Sequence, residues 1–153
     1  MTDTELRVSK IENGTVIDHV AGGQALNVLA ILGIDGGSGE EVSVGMNVPS
    51  DRLGRKDVVK VEGRELSQNE VDVLSLIAPA ATINIIREFE VVDKRRVTRP
   101  ETVGGVLSCP NANCITTENE PVESRFDVLE GGVRCTYCET IIRDSIAEHI
   151  STA

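Results

Sequence analysis

The chain has no tryptophan, one tyrosine and two phenylalanines, so aromatic residues make up only 2% of its 153 positions. A core must therefore come from Val, Ile, Leu and Ala, which a hydrophobic content of 40% can supply. No apolar run approaches the 18 or so residues of a membrane-spanning helix, so a soluble chain with no membrane partner is expected. The N-terminus carries no signal-peptide pattern, which points to a reducing, cytoplasmic setting. Lysine occurs only at positions 10, 56, 60 and 94, and 25 acidic residues outweigh 15 basic ones to give a net charge of −10. Such a surface repels a phosphate backbone and disfavours nucleic acid as a partner. An acid excess with scarce lysine suits a salt-rich, halophilic cytoplasm, where self-repulsion is screened.

Cysteine is also scarce, and its placement is the strongest signal in the chain. Cys109, Cys114, Cys135 and Cys138 fall as C-x4-C, twenty intervening residues, then C-x2-C. Two knuckles at this spacing can close on one tetrahedral ion, and four soft thiolates favour a single structural Zn(II) with no open position for catalysis. Pro110, Asn111 and Asn113 are turn formers that let backbone N–H groups face the sulfurs. Two disulfides would need an oxidising compartment. A redox Cys135-x-x-Cys138 would belong to a βαβ context and leave the other pair idle. Four unrelated buried thiols would not show the paired spacing.

In chain order, residues 1–5 are expected to be a loose terminus, and Leu6 to Ile11 alternates weakly as a strand. Asn13-Gly14 marks a turn before a β-branched strand from Thr15 to Val20. Gly22-Gly23 opens a helix through Ala25, Leu26, Val28, Leu29, Ile31 and Leu32 that ends at Gly33. Residues 35–39 form a glycine-rich loop that matches neither dinucleotide nor P-loop order. Val42, Val44 and Met46 alternate as a strand, a turn follows Pro49, and Val58, Val59 and Val61 mark another strand. Ser67-Gln68-Asn69-Glu70 is a capping box opening a helix that carries Val71, Val73, Leu74 and Ile77 and stops before Pro79. Thr82 to Val92 is a β-stretch broken near Arg87, and Lys94, Arg95, Arg96 and Arg99 form the only basic cluster.

Strand, helix, strand, strand, helix, strand predicts an α+β fold, a ferredoxin-like antiparallel sheet with two helices on one face. Thr98 to Thr102 is a polar joint with a proline, which divides the chain into domains 1–99 and 100–153. Residues 1–100 hold 12 basic and 16 acidic side chains, residues 101–153 only 3 basic and 9 acidic. The second unit is too small to fold by burial alone and is expected to be an all-β zinc ribbon, with short strands from Val122 to Val133 around Gly131-Gly132.

No nucleophile–base–orienter set is visible. His19 and His149 are the only histidines, Asp18-His19 at a strand end lacks a third partner, and the metal site is closed. The chain is therefore not expected to be an enzyme. A zinc-ribbon nucleic-acid or transcription adaptor would need a basic ribbon with exposed aromatics, whereas residues 101–153 have three arginines, Phe126 and Tyr137.

Several stretches taken together resemble the regulatory chain of aspartate carbamoyltransferase. They are Gly14-Thr15-Val16-Ile17-Asp18-His19, Gly54-Arg55-Lys56-Asp57, Cys109-Pro110-Asn111-Ala112-Asn113-Cys114-Ile115 and Tyr137-Cys138-Glu139. Ala78-Pro79, Thr82, Asn84, Glu90-Val91-Val92 and Lys94 add to the match. The resemblance implies a non-catalytic subunit that gives allosteric feedback control of pyrimidine biosynthesis. Its N-terminal domain would bind CTP, ATP or UTP, and its zinc domain would dock on the catalytic chain. It implies a homodimer through the N-terminal domain, and a dodecamer of two catalytic trimers and three regulatory dimers. By matched position the nucleotide site would comprise Val8, Ile11, Asp18, His19, Val58, Lys60, Asn84, Ile86, Phe89, Val91 and Lys94. Lys94 and His19 would serve phosphates, Asp18 the ribose, Lys60 ribose and base, and backbone near Ile11 and Phe89 the base edge. Asn111, Asn113 and Glu139 would contact the partner. Ser9 stands where members carry an acidic residue, Phe89 replaces a tyrosine, and Thr140 stands where a lysine can occur.

Overall fold

β-Branched residues at alternate positions build the first sheet, because their stiff side chains pack well on a pleated, half-buried surface. The computed structural model describes residues 11–37, 39–117, 122–143 and 146–150. Val8, Ser9 and all of the expected first strand except Ile11 lie outside the described residues, and Ile11 itself is in no strand. The chain runs β1 (Gly14–Ala21), α1 (Ala25–Ile31), β2 (Val42–Ser50), β3 (Gly54–Glu62), α2 (Gln68–Ile77), β4 (Thr82–Arg87) and β5 (Glu90–Arg96). The strands form one sheet in the order β2-β3-β1-β4-β5, with every pairing antiparallel. The ferredoxin-like arrangement is thus extended by a fifth strand at one edge. No helix among the described residues is long and apolar enough to cross a membrane.

Both helices cover the same face. Ile17, Val59, Val61, Ile83 and Ile85 of the sheet pack against Ala25, Val28 and Leu32 of the α1 segment and Val71 and Leu74 of α2. Gly14 starts β1 because nothing larger fits: a Cβ there would meet the Val61 carbonyl oxygen at 2.2 Å.

The turn expected after Pro49 falls at residues 51–53, and Pro49 itself is the next-to-last residue of β2. β2 is an edge strand, where a missing N–H costs no ladder bond if it faces outward. The apolar residues of α2 divide between two cores. Val71 and Leu74 join the first core, while Val73, 4% exposed, joins the second.

That second core belongs to a four-stranded antiparallel sheet, β6 (Thr102–Gly104), β7 (Arg125–Leu129), β8 (Gly132–Cys135) and β9 (Ile141–Ile142), ordered as in the chain. Val122 lies in no strand. Phe126, Val133, Leu107 and Val106 fill the core together with Cys109, Cys114 and Cys135. Leu76 and Ile31 of the two helices pack against it. A lone bridge between Leu107 and Ile150, with the Ser108 amide donating to the His149 carbonyl at 2.7 Å, ties the C-terminal turn to the chain before Cys109.

Candidate functional site

The two knuckles bring all four sulfurs within 4.8 Å of one another. The close contacts run between knuckles, Cys109 to Cys138 at 3.5 Å and Cys114 to Cys135 at 3.7 Å. A tetrahedral Zn–S distance of about 2.3 Å gives sulfur–sulfur edges of about 3.8 Å. A disulfide requires about 2.05 Å. The spacing and the all-sulfur donor set therefore fit one structural zinc ion and not a pair of disulfides.

In the absence of a cation, burial disfavours thiolate at two of the sulfurs, while hydrogen bonds favour it at a third. Burial pushes the Cys109 thiol up to about 12, against a backbone hydrogen bond from Asn111, and burial also raises Cys135, against those from Tyr137 and Cys138. The Thr140 hydroxyl and amide bring Cys138 down to about 6. Thr140 Oγ1 lies 3.1 Å from the Cys138 sulfur, and Thr116 Oγ1 lies 3.2 Å from that of Cys114. A threonine two residues after one cysteine of each knuckle thus orients a ligand from outside. Thr116 carries no sequence signal beyond that spacing, and Thr140 has a role in the metal site besides any at the partner surface.

Around the centre, Ile115, Tyr137 and Ile141 are exposed, as are Asn113 and Glu139, while Asn111 is half-buried. Asn111 Oδ1 accepts from the Asn113 amide at 3.0 Å, so the two asparagines share one turn. Glu139 has φ 64°, a left-handed backbone that glycine would adopt without strain.

The face of the first sheet opposite the helices carries the other candidate group. Lys60, Val16, Asn84 and Lys94 are register partners in one row across β3, β1, β4 and β5. One step along, Gly14, Ile86 and Val91 form the next row. Val91 reaches this face only because the β4–β5 register slips between Ile85 and Ile86; strict alternation from Lys94 would have put Val92 there. Val58 and Lys60 line a hollow of about 230 Å³ with Ser43, Val44, Gly45 and Val48.

Asp18 and His19 sit at a bulge within β1, not at its end, where the register against β3 shifts between Ile17 and Val20. His19 has φ 56°, and its Nδ1 lies 3.1 Å from Thr82 Oγ1. The Asp18 carboxylate pairs with Lys56 at 3.0 Å and accepts from the His19 amide at 2.6 Å. Burial raises its pKa, but the Lys56 ammonium and that amide outweigh it and hold the carboxyl below the usual range.

Phe89 projects from the two-residue β4–β5 turn and is 59% exposed. Glu88 and Phe89 both have positive φ, 52° and 67°, which makes a primed hairpin turn without glycine. The segment before β1 holds it: the Phe89 amide donates to the Glu12 carbonyl at 2.9 Å and the Glu88 amide to Asn13 Oδ1 at 3.2 Å. The Phe89 amide is therefore already committed to protein. Ile11, 7% exposed, belongs to the same segment.

The described residues thus gather the four cysteines at one point. They spread Val58, Lys60, Asn84, Ile86, Val91 and Lys94 over one sheet face, with Asp18 and His19 at one end and Ile11 and Phe89 at the other. Sequence reasoning missed Lys56 as the partner of Asp18; only the fold brings them together.

Comparison with known families covers both units of the chain. Residues 6–98 match the model described as the aspartate carbamoyltransferase regulatory chain, allosteric domain, and residues 101–148 match that chain's metal binding domain. The aspartate carbamoyltransferase regulatory chain of Natronomonas pharaonis is 86% identical over 153 residues, all of both chains. That of Haloarcula marismortui is 79% identical over 148 residues, 97% of this chain and 96% of its own length. That of Haloquadratum walsbyi is 69% identical over 143 residues, 94% and 80% respectively. The chain belongs to the family of aspartate carbamoyltransferase regulatory chains, the non-catalytic subunits of that enzyme.

Proposed function

We propose that the helix-free face of the first sheet binds nucleotide effectors, CTP, ATP or UTP, and that the zinc unit passes the signal to the catalytic chain. The observation that carries this is the row Lys60–Val16–Asn84–Lys94, which sets two ammonium groups on one open face of a chain of net charge −10. From Gly14 to Asp18 the strand advances about 13 Å, a nucleotide's reach. The base lies toward Ile11, Ile86, Phe89 and Val91, the ribose by Asp18 and Lys60, and the phosphates by Lys94 and His19. Val58 floors the face, and Val8 completes it from outside the described residues. Strained backbone at His19, Glu88 and Phe89 supports a binding role, because such strain concentrates at ligand sites.

Docking uses Asn111, Asn113 and Glu139 with the exposed Ile115, Tyr137 and Ile141 beside the metal. Two copies pair through the N-terminal domain (residues 1–99), where edge strand β2 exposes Val44 and Met46 next to Leu26 of α1. Three such dimers link two catalytic trimers into a dodecamer and give feedback control of pyrimidine biosynthesis. Nucleotide shifts the balance of two quaternary states only by its differential affinity for them.

Titration of CTP into the zinc-loaded chain tests the site. Lys94→Ala should weaken binding by about tenfold or more, the loss of a charge-assisted hydrogen bond to phosphate. Unchanged affinity would remove Lys94 from the site. The acid excess suits a salt-rich cytoplasm, so stability should climb from low to molar KCl; a flat curve would contradict that.

A further inference from the structure

We propose that the joint between the two sheets binds a small tetrahedral oxyanion, inorganic phosphate or a phosphomonoester, through the guanidinium groups of Arg99 and Arg143. A cavity of about 190 Å³ opens where Ser75 and Leu76 of α2, Arg99 of the linker, the Gly131-Gly132 turn of the zinc unit, and Arg143 converge. At about 30 Å³ per water, that is room for a phosphate and several waters. Its described lining holds two arginines and no carboxylate, in a chain with 25 acidic residues to 15 basic.

Arg143, one of only three basic residues after position 100, makes no hydrogen bond or ion pair with any described residue. Arg99 donates one N–H to the carbonyl of Leu129, two residues before the Gly131-Gly132 turn that lines the cavity, at 2.9 Å and keeps most of its donors for a ligand. Backbone packing also sets Arg143. A Cβ on Gly132 would come 2.7 Å from the Ile142 carbonyl oxygen and 3.3 Å from Arg143 Cγ, so that turn lies directly against the arginine's stem. Two like charges around one cavity repel, and an anion between them converts the repulsion into attraction. Guanidinium forks suit oxyanions because they bind bidentately.

The cavity is on the helix side of the first sheet, away from the face that carries Lys60 and Lys94, so it does not depend on the nucleotide assignment. Its walls come from the first unit, the linker and the zinc unit. A bound oxyanion would therefore clamp the joint that nucleotide signals must cross.

Calorimetric titration of the full zinc-loaded chain at low ionic strength tests this, with inorganic phosphate, glycerol 3-phosphate and succinate as probes. Lys94→Ala, which lacks the phosphate ligand of the nucleotide face, should still bind phosphate at one site per chain. Arg99→Gln and Arg143→Gln should each weaken it by about tenfold or more, with Arg143→Lys retaining part of the affinity. Glycerol 3-phosphate binding as well as phosphate would identify a phosphomonoester site, and its exclusion a site for the free ion; both support the proposal. Affinity unchanged in Arg99→Gln and Arg143→Gln, affinity lost in Lys94→Ala instead, or preference for succinate would overturn it.

Discussion

Asp57 shows no exposed surface, yet its carboxylate is fully occupied by backbone donors. Oδ2 accepts from the amides of Gly23 at 2.9 Å and Ala25 at 2.8 Å, and Oδ1 accepts from Asn47 at 2.8 Å. The side chain caps α1, whose own N-cap residue Gln24 makes no side-chain cap bond, and pins the bulged edge strand β2. Asp57→Asn would turn one acceptor into a donor facing an amide. The expected cost is about 3 kcal/mol, read from the urea midpoint at constant slope; a loss below about 1 kcal/mol would contradict this role. Nothing near Asp57 in the sequence announces it, because its partners lie 34, 32 and 10 positions away. The cysteines were legible for the opposite reason: their chemistry and spacing need no knowledge of the rest of the fold.

Elements were legible where their signals are local. The capping box of α2 forms as its four residues require, with the Glu70 amide donating to Ser67 Oγ at 3.2 Å and the Ser67 amide to Glu70 Oε1 at 2.9 Å. Ser67→Ala should lower thermal or urea stability by about 1 kcal/mol, and no change would mean that tertiary packing alone sets the start of the helix. Where tertiary structure overrides local chemistry, the signal fails. Glu88-Phe89 adopts a turn normally marked by Asn-Gly because residues 12 and 13 hold it from outside. The bulge that turns Val91 onto the open face has no local marker either, so alternation alone assigns the wrong valine. α2 divides its apolar residues between two cores, a division that no local signal marks.

At the scale of the whole molecule, α2 joins two units that differ in how they are stabilised. The first has a continuous aliphatic core between sheet and helices. The second has Phe126 as its one fully buried aromatic, and three of its four cysteines belong to the buried core itself. Its folding is thus bound up with the metal, since unpaired thiols clustered this closely gain little without a cation among them. The unit's exposed Ile115, Tyr137 and Ile141 surround that centre, so the docking surface proposed there would depend on the ion. Sedimentation of the assembled complex before and after thiol modification and chelation is the most direct test. Loss of metal should give separate boundaries for the catalytic chain and this chain. A complex that sediments unchanged with its zinc removed would contradict the central role of the four-thiolate centre.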